Sequence, residues 1–417
     1  MAGPTNLADT PRARLRPPEL LRLGDRFVAM SVVAQLIACG AATTKPELAK
    51  ATGLARSTID GCLGQLSALG LVMADGLSTG SGRGRPPERH RINPDVGAIL
   101  VFDITPNHVR LAVAGADQRL LASERSSFAL DVGPTETLAF AVKKADELLS
   151  ELGIDRRHLA ATVVSLPGPV DTRRGVPVRP PIMPGWDGFG VADYMRREFT
   201  CPCVVDNDVN MMAIGEARVL PSDQCPMLVI KVGTGIGGGL VTAQGTLHRG
   251  ADGAACDIGH LRVPGDHDVV CSCGNIGCIE ALASAAAITR RLGELTGRPD
   301  LTQGDLREMA RTGDPLAVRL IRDAAALLGE TVASLINVYN PARLVLTGPL
   351  TAVTDDLLAG VRSVAYQRAL PLATRNLTLT HSVIGELAGV VGGVVLGIEQ
   401  ALSPESLRSR STSARAG

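Results

Sequence analysis

One histidine and three cysteines crowd the segment GHLRVPGDHDVVCSCGNIGC, as His260, Cys271, Cys273 and Cys278. Three thiols and an imidazole are the donor set of a closed, four-coordinate structural zinc site. Gly274 and Gly277 let the backbone turn tightly enough to return Cys278 to the metal. Unligated buried thiols are the alternative, but a polar, glycine-rich loop makes a poor core. A closed site holds no water, so this zinc is not expected to hydrolyse anything. The nine cysteines are an odd number, and their crowding reads as metal binding in a reducing, cytoplasmic setting rather than a disulfide framework. Cys201-Pro202-Cys203 is a separate pair, read as a strand start without metal.

A chain of 417 residues is long for one domain, and 45% hydrophobic residues can fill sizeable cores. Aromatics are only 2%, which argues against a base-stacking platform for single strands. The net charge is zero but unevenly spread. Residues 1–92 hold 12 Lys/Arg against 7 Asp/Glu, so the first part is basic and the remainder acidic. No apolar run is long enough for a membrane span, and no membrane partner is expected. Residues 1–19, Pro- and Arg-rich, and 403–417, polar, read as disordered tails.

Residues 20–92 read as a winged helix-turn-helix. Residues 20–38 have helical spacing. Thr43 or Thr44 caps a second helix with Pro46 and Glu47 in its first turn. A third helix starts near Arg56, and the strings LVMAD and ERHRIN give two strands around a basic loop. Leu48, Ala49, Leu54, Ile59, Leu63 and Leu66 would pack these helices. That leaves Arg56, Ser57, Thr58 and Asp60 at the exposed start of the third, the part that approaches base edges. Gly61 and Gly64 inside that helix cost about 1 kcal/mol each against Ala. Arg83 and Arg85, in RGRP, could enter a narrow minor groove. A flexible basic hinge is the alternative for the loop, and a three-helix interaction module the alternative for the head.

From residue 93 the texture becomes α/β. Strands AILVFDI, VRLAVAG and LLASERSSFAL are followed by helix TETLAFAVKKADELLSELG and strand ATVVSLPGPVD. VIKVGTGIGGGLV and VTAQGTLHRG read as a glycine-rich hairpin, and GVVGGVVLGIEQAL as a late helix.

These pieces resemble the ROK family (repressor, open reading frame, kinase). The matching motifs are GRPP, LPGPVD at 166–171, PGW at 184–186, VVDNDVN at 204–210, GTGIGGG at 233–239, DIGH at 257–260 and CSCGNIGCIE at 271–280. The resemblance implies an actin-like, ribonuclease-H-like sugar-kinase fold over 93–402. One lobe would be 93–208 plus the helix 385–402, the other 209–384. It also implies a sugar cleft contacted by Asn207, Asp208, Asp257, His260 and Glu280, with Asp208 the base if the protein were a kinase. His260 would give one ring nitrogen to zinc and the other to a sugar hydroxyl.

Three departures separate the chain from the family's kinases. Their phosphate loop, DxGGT, is replaced by Asp103-Ile104-Thr105-Pro106-Asn107. Both glycines are gone, and Pro106 has no N–H to offer a phosphate. The later Gly-Gly turn is Gly348-Pro349, and the usual Glu before the zinc His is Asp257. The resulting expectation is a sugar-responsive regulator of operator DNA, homodimeric or homotetrameric, with kinase activity lost. A bifunctional ATP-dependent sugar kinase, and a DNA-binding regulator with a vestigial cleft, are the alternatives.

Overall fold

A computed structural model of the chain describes residues 10–11, 13–18, 25–77 and 87–416. Three helices open it: α1 (Arg26–Ala38), α2 (Lys45–Thr52) and α3 (Arg56–Ala68). Asp25 caps α1 by accepting from the Phe27 and Val28 N–H groups. Thr44 caps α2: its hydroxyl accepts from the Glu47 N–H, and the Glu47 carboxylate accepts from the Thr44 N–H. Gly53 ends α2 in the left-handed region at φ 71°. Strands β1 (Val72–Leu77) and β2 (Glu88–Ile92) then pair antiparallel. Leu48, Ile59, Leu63 and Leu66 are buried between the helices.

A short turn at Pro94–Val96 leads into the body. Strands β3 (Ala98–Thr105), β4 (His108–Gly115) and β5 (Leu120–Ser127), helix α4 (Pro134–Glu151) and strand β6 (Leu159–Leu166) come first. The two-residue strands β7 (Val170–Asp171) and β8 (Val176–Pro177), helix α5 (Val191–Phe199), strand β9 (Cys203–Asn207) and helix α6 (Asp208–Val219) complete the first half. The main sheet runs β5-β4-β3-β6-β9. β3 and β6 are apolar along almost their whole length because both faces are covered. Leu100 and Phe102 share a core with α4 and α5 residues, while Ile99 and Val101 face the other way.

The second half holds β10 (Met227–Val232), β11 (Ile236–Val241), α7 (Ile279–Ala283), α8 (Ala285–Thr296), α9 (Gln303–Thr312) and α10 (Pro315–Tyr339). It continues through β12 (Arg343–Thr347), α11 (Asp356–Arg368), α12 (Pro371–Thr374), β13 (Thr378–His381), α13 (Ala388–Ala401) and α14 (Pro404–Ala416). Its sheet order is β11-β10-β12-β13. The hairpin arms are β10 and β11 themselves, so VTAQGTLHRG is not the return strand. The Gly233 N–H donates to the Gly235 carbonyl and closes the turn earlier.

Helices α6 and α13 cross between the two sheets with their backbones nearly touching. A Cβ on Gly392 would lie 1.8 Å from the Met211 carbonyl oxygen, and one on Gly215 2.2 Å from that of Ala388. No larger residue fits this crossing without moving a helix.

Parts of the two expected tails are ordered instead. Residues 13–18 run along the body: Ala13 and Leu15 are buried, and the Arg14 N–H donates to the Arg218 carbonyl at 2.7 Å. Residues 404–416 form α14, with Leu407 fully buried and Arg408 paired to Asp25 at 3.1 Å. Their polar composition concealed a few anchoring apolar side chains. Helix α1 is apolar on nearly every side because it lies between α2, α3 and β2 on one flank and α14 on the other. The Ser31 hydroxyl donates to the Leu402 carbonyl at 2.6 Å across this contact. Head and body therefore share one continuous apolar core. Among the described residues, no single helix is long and apolar enough to cross a membrane.

Candidate functional site

A cleft of about 890 Å³ opens between the two sheets. On one side stands the cysteine loop. Gly274 and Gly277 adopt positive φ, 89° and 76°, where a side chain would be strained. The Cys271 N–H donates to the Asn275 carbonyl at 2.7 Å and the Gly274 N–H to the Cys271 carbonyl at 2.9 Å, which curls the loop. The donor atoms of His260, Cys271, Cys273 and Cys278 all lie within 4.8 Å of one another. Cys273 Sγ is 3.7 Å from Cys278 Sγ, and Cys271 Sγ is 3.6 Å from His260 Nδ1. A tetrahedral ion with sulfur at about 2.3 Å and nitrogen at about 2.05 Å sets these edges at about 3.8 and 3.6 Å. The four residues could hold a metal ion. The Asn275 backbone N–H draws the Cys273 thiol down to about 7, towards the thiolate a metal needs. His260 turns Nδ1 to the sulfurs and lines the cleft, which leaves Nε2 for another partner.

Glu280 follows the last cysteine in α7. One carboxylate oxygen accepts from the Ile236 N–H at 3.0 Å and the other from the Ser272 hydroxyl at 3.3 Å. Asp257 is exposed on the same wall. The glycine-rich strand β11 has a packing role of its own. A Cβ on Gly239 would lie 2.9 Å from the Val209 carbonyl oxygen, so the glycines admit α6 against the sheet.

Asn207 and Asp208 sit where β9 becomes α6. Asn207 is the helix cap: its Oδ1 accepts from the Val209 and Asn210 N–H groups, and its Nδ2 donates to the Gly168 carbonyl at 2.8 Å. That ties the LPGPVD turn to the helix. Asp208 is buried, receives the Val209 N–H at 2.8 Å on one oxygen and forms an ion pair with Lys231 on the other. Burial opposes the charge on Lys231, but the Asp208 carboxylate outweighs it and holds the ammonium above its ordinary range.

The opposite wall is the β3–β4 turn. Pro106 and Asn107 form its tip, and their carbonyls accept from the Leu130 and Phe128 N–H groups. The Thr105 hydroxyl lies 2.8 Å from His108 Nδ1. Asp103, at the head of the altered phosphate loop, is 3% exposed, with one oxygen lacking a hydrogen-bond partner. Burial pushes its carboxyl above the usual range, against the pull of Lys231. The sequence reading missed Lys231, His108 and Arg125, which all line the cleft. A lone lysine in the apolar strand MLVIKV was the available signal.

The head's candidate residues lie apart from the cleft. Arg56, Ser57 and Thr58 are exposed on the first turn of α3. Asp60 is exposed too, but its carboxylate pairs with Lys45 at 2.7 Å. A Cβ on Gly61 or Gly64 would meet nothing within 4 Å, so no packing among the described residues explains these glycines. Arg83 and Arg85 lie outside the described residues. Cys203 opens β9, and burial pushes its thiol to about 12 and that of Cys201 to about 11.

The sequence model of the ROK family matches residues 100–400. The chain belongs to the ROK family. Its relatives are of two kinds. The putative xylose repressor of Caldicellulosiruptor sp. (strain Rt8B.4) is 25% identical over 373 residues, covering 86% of this chain and 92% of that protein. The glucokinase of Halalkalibacterium halodurans is 34% identical over 223 residues, covering 50% of this chain and 67% of that protein. A solved ROK transcriptional regulator, described as a homologue of the Escherichia coli MLC protein, superposes with a TM-score of 0.77 at 22% identity. It covers 93% of this chain and 99% of its own, too large a share to omit the head. The two-lobed, actin-like ROK fold is thus the fold of this chain, with a helical head before it.

Proposed function

We propose that this ROK protein is a sugar-responsive, DNA-binding transcriptional regulator, acting as a repressor, in which phosphoryl transfer has been lost. One observation carries the reading. His260, Glu280, Asp257 and Asp208 line one cleft, while the position of the kinases' phosphate loop is a tight turn tipped by Pro106. Phosphoryl transfer depends almost wholly on positioning and charge stabilisation, and a prolyl turn provides no N–H cradle. The retained carboxylates, amide and imidazole suit vicinal hydroxyls.

Zinc fits the three sulfurs and one nitrogen. Its chemistry here is to hold the loop, so that His260 Nε2 and Glu280 meet the sugar at fixed positions. Asn207 positions Asp208 through the helix cap. The head (residues 25–92 here) would place Arg56, Ser57 and Thr58 against the major groove of an operator, with Arg83 and Arg85 in the wing, and Asp60 held by Lys45. Sugar-driven closure of the lobes would turn the α6–α13 crossing, on which the head's continuous core rests. In a cytoplasmic dimer or tetramer this changes the spacing of two heads relative to the operator.

The test uses the full-length protein. Duplexes selected from a random pool are titrated with a panel of hexoses, pentoses, N-acetylated and phosphorylated sugars present. One sugar should raise the Tm and weaken DNA binding 5- to 150-fold. Asp208→Ala should abolish both effects. A sugar-dependent release of ADP from ATP would instead establish a working kinase.

A further inference from the structure

The wall that replaces the phosphate loop is not merely blank. Arg125 on β5 lines the cleft beside Thr105, Asn107 and His108, and Lys231 enters from the other lobe. Arg125 Nη2 lies 3.4 Å from His108 Nδ1. Arg110 stands behind them on β4, 2.7 Å from Glu386. Arg125 shares that same carboxylate oxygen at 3.4 Å, and Glu386 is 66% exposed. One solvated carboxylate therefore serves two guanidiniums. Asp208 is already paired with Lys231 on one oxygen and accepts the Val209 N–H on the other, so its charge is offset.

We propose that this wall binds an anionic substituent, phosphate or carboxylate, on the sugar that the proposed function places in the cleft. The inference rests on that sugar-site reading. Arg125 would meet the anion, Thr105 and His108 would flank it, and Lys231 would shield it from the Asp208 charge. A planar guanidinium offers two parallel N–H groups, the geometry that carboxylate and phosphate oxygens accept. A neutral hydroxyl could not balance Arg125 once closure expels water from the cleft. Asp257 and Glu280 lie beside His260 and Cys278 in the chain, where hydroxyls and not the anion would lie.

The charge on the wall is visible at His108. Burial first, then Arg125, Arg110 and Lys231, drive its pKa down to about 3. The imidazole is neutral at physiological pH and can accept or donate without adding charge. Backbone donors lost with the two glycines are thus replaced by side-chain donors aimed at a different anion.

The experiment is titration calorimetry on the full-length, metal-loaded protein. The probes are glucose, galactose, mannose and N-acetylglucosamine, their 6-phosphates, and the uronates of the first three. One 6-phosphate or uronate should bind at least tenfold more tightly than its neutral parent, and which arm wins identifies the anion. Arg125→Gln should shrink that preference to within about threefold while leaving the neutral sugar's affinity unchanged. Lys231→Met should shrink the preference as well. Arg125 is 41% exposed, so its variant will fold even if the Lys231 variant does not. A neutral sugar binding as tightly as its charged forms overturns the proposal and leaves the sugar site standing. So does an Arg125→Gln protein that keeps the preference. Failure of every sugar, charged or neutral, overturns both.

Discussion

On the metal side of the cleft, each polar group is fixed by backbone that has little freedom: two left-handed glycines, a helix start and a curled loop hold four ligands and Glu280. On the facing side, the polar groups are side chains projecting from a hairpin and from strands, with charges that only partly cancel. The first wall is built to keep one geometry. The second presents side-chain cations in place of a backbone cradle. Within one cleft, then, one wall is fixed by backbone and the other by side chains.

The comparison breaks most visibly if the metal wall is removed. Cys278→Ser should drop bound zinc from about one per chain to near none by elemental analysis. Stability should fall by roughly 3–5 kcal/mol, since loss of a structural metal is among the largest single-residue effects. Retention of the wild-type Tm in the metal-free variant would mean that the loop needs no ion. Next in size is Glu280→Ala, which leaves the N–H of the buried Ile236 without its acceptor. A cost of about 1–3 kcal/mol is expected in urea titration.

The facing wall should show itself in pH. His108 binds its proton only near pH 3 when folded, against about 6.5 unfolded. Between those values the unfolded chain holds more protons, so stability should decline as pH falls below about 6.5. Buried His90 in the head is shifted in the same direction, so the slope will not vanish in one variant. His108→Gln should nevertheless flatten the Tm decline between pH 7 and 5; an unchanged slope would place the sensitivity elsewhere. The smallest effect belongs to the head. Lys45→Ala breaks an exposed pair and should cost about 0.2–1 kcal/mol in stability. Its DNA affinity will show whether Asp60, once released, repels the backbone.

The clustering of His260, Cys271, Cys273 and Cys278 was legible because the four lie close together in the sequence. The β-strands were legible where burial on both faces left an unbroken apolar run, as in β3 and β6. The cation wall was not, because Arg125 and Lys231 are distant in sequence and meet only through the fold. Nor were the ordered ends. Leu15 and Leu407 are single apolar residues in polar company, and periodicity cannot weigh one residue. The capping role of Asn207 was not legible either: its amide also caps α6 and holds Gly168.

The contact between α1 and α14 has a consequence in time. Ser31 and Leu402 are separated by 371 residues, so the ribosome makes the head long before it makes the surface that seats it. At 5–20 residues per second the interval is roughly 20 to 75 s. Throughout it the apolar flank of α1 is uncovered, and a nascent head can neither be steered by the sensor nor stand in its final orientation. The head can therefore reach its final seat only once the chain has been made through Leu402.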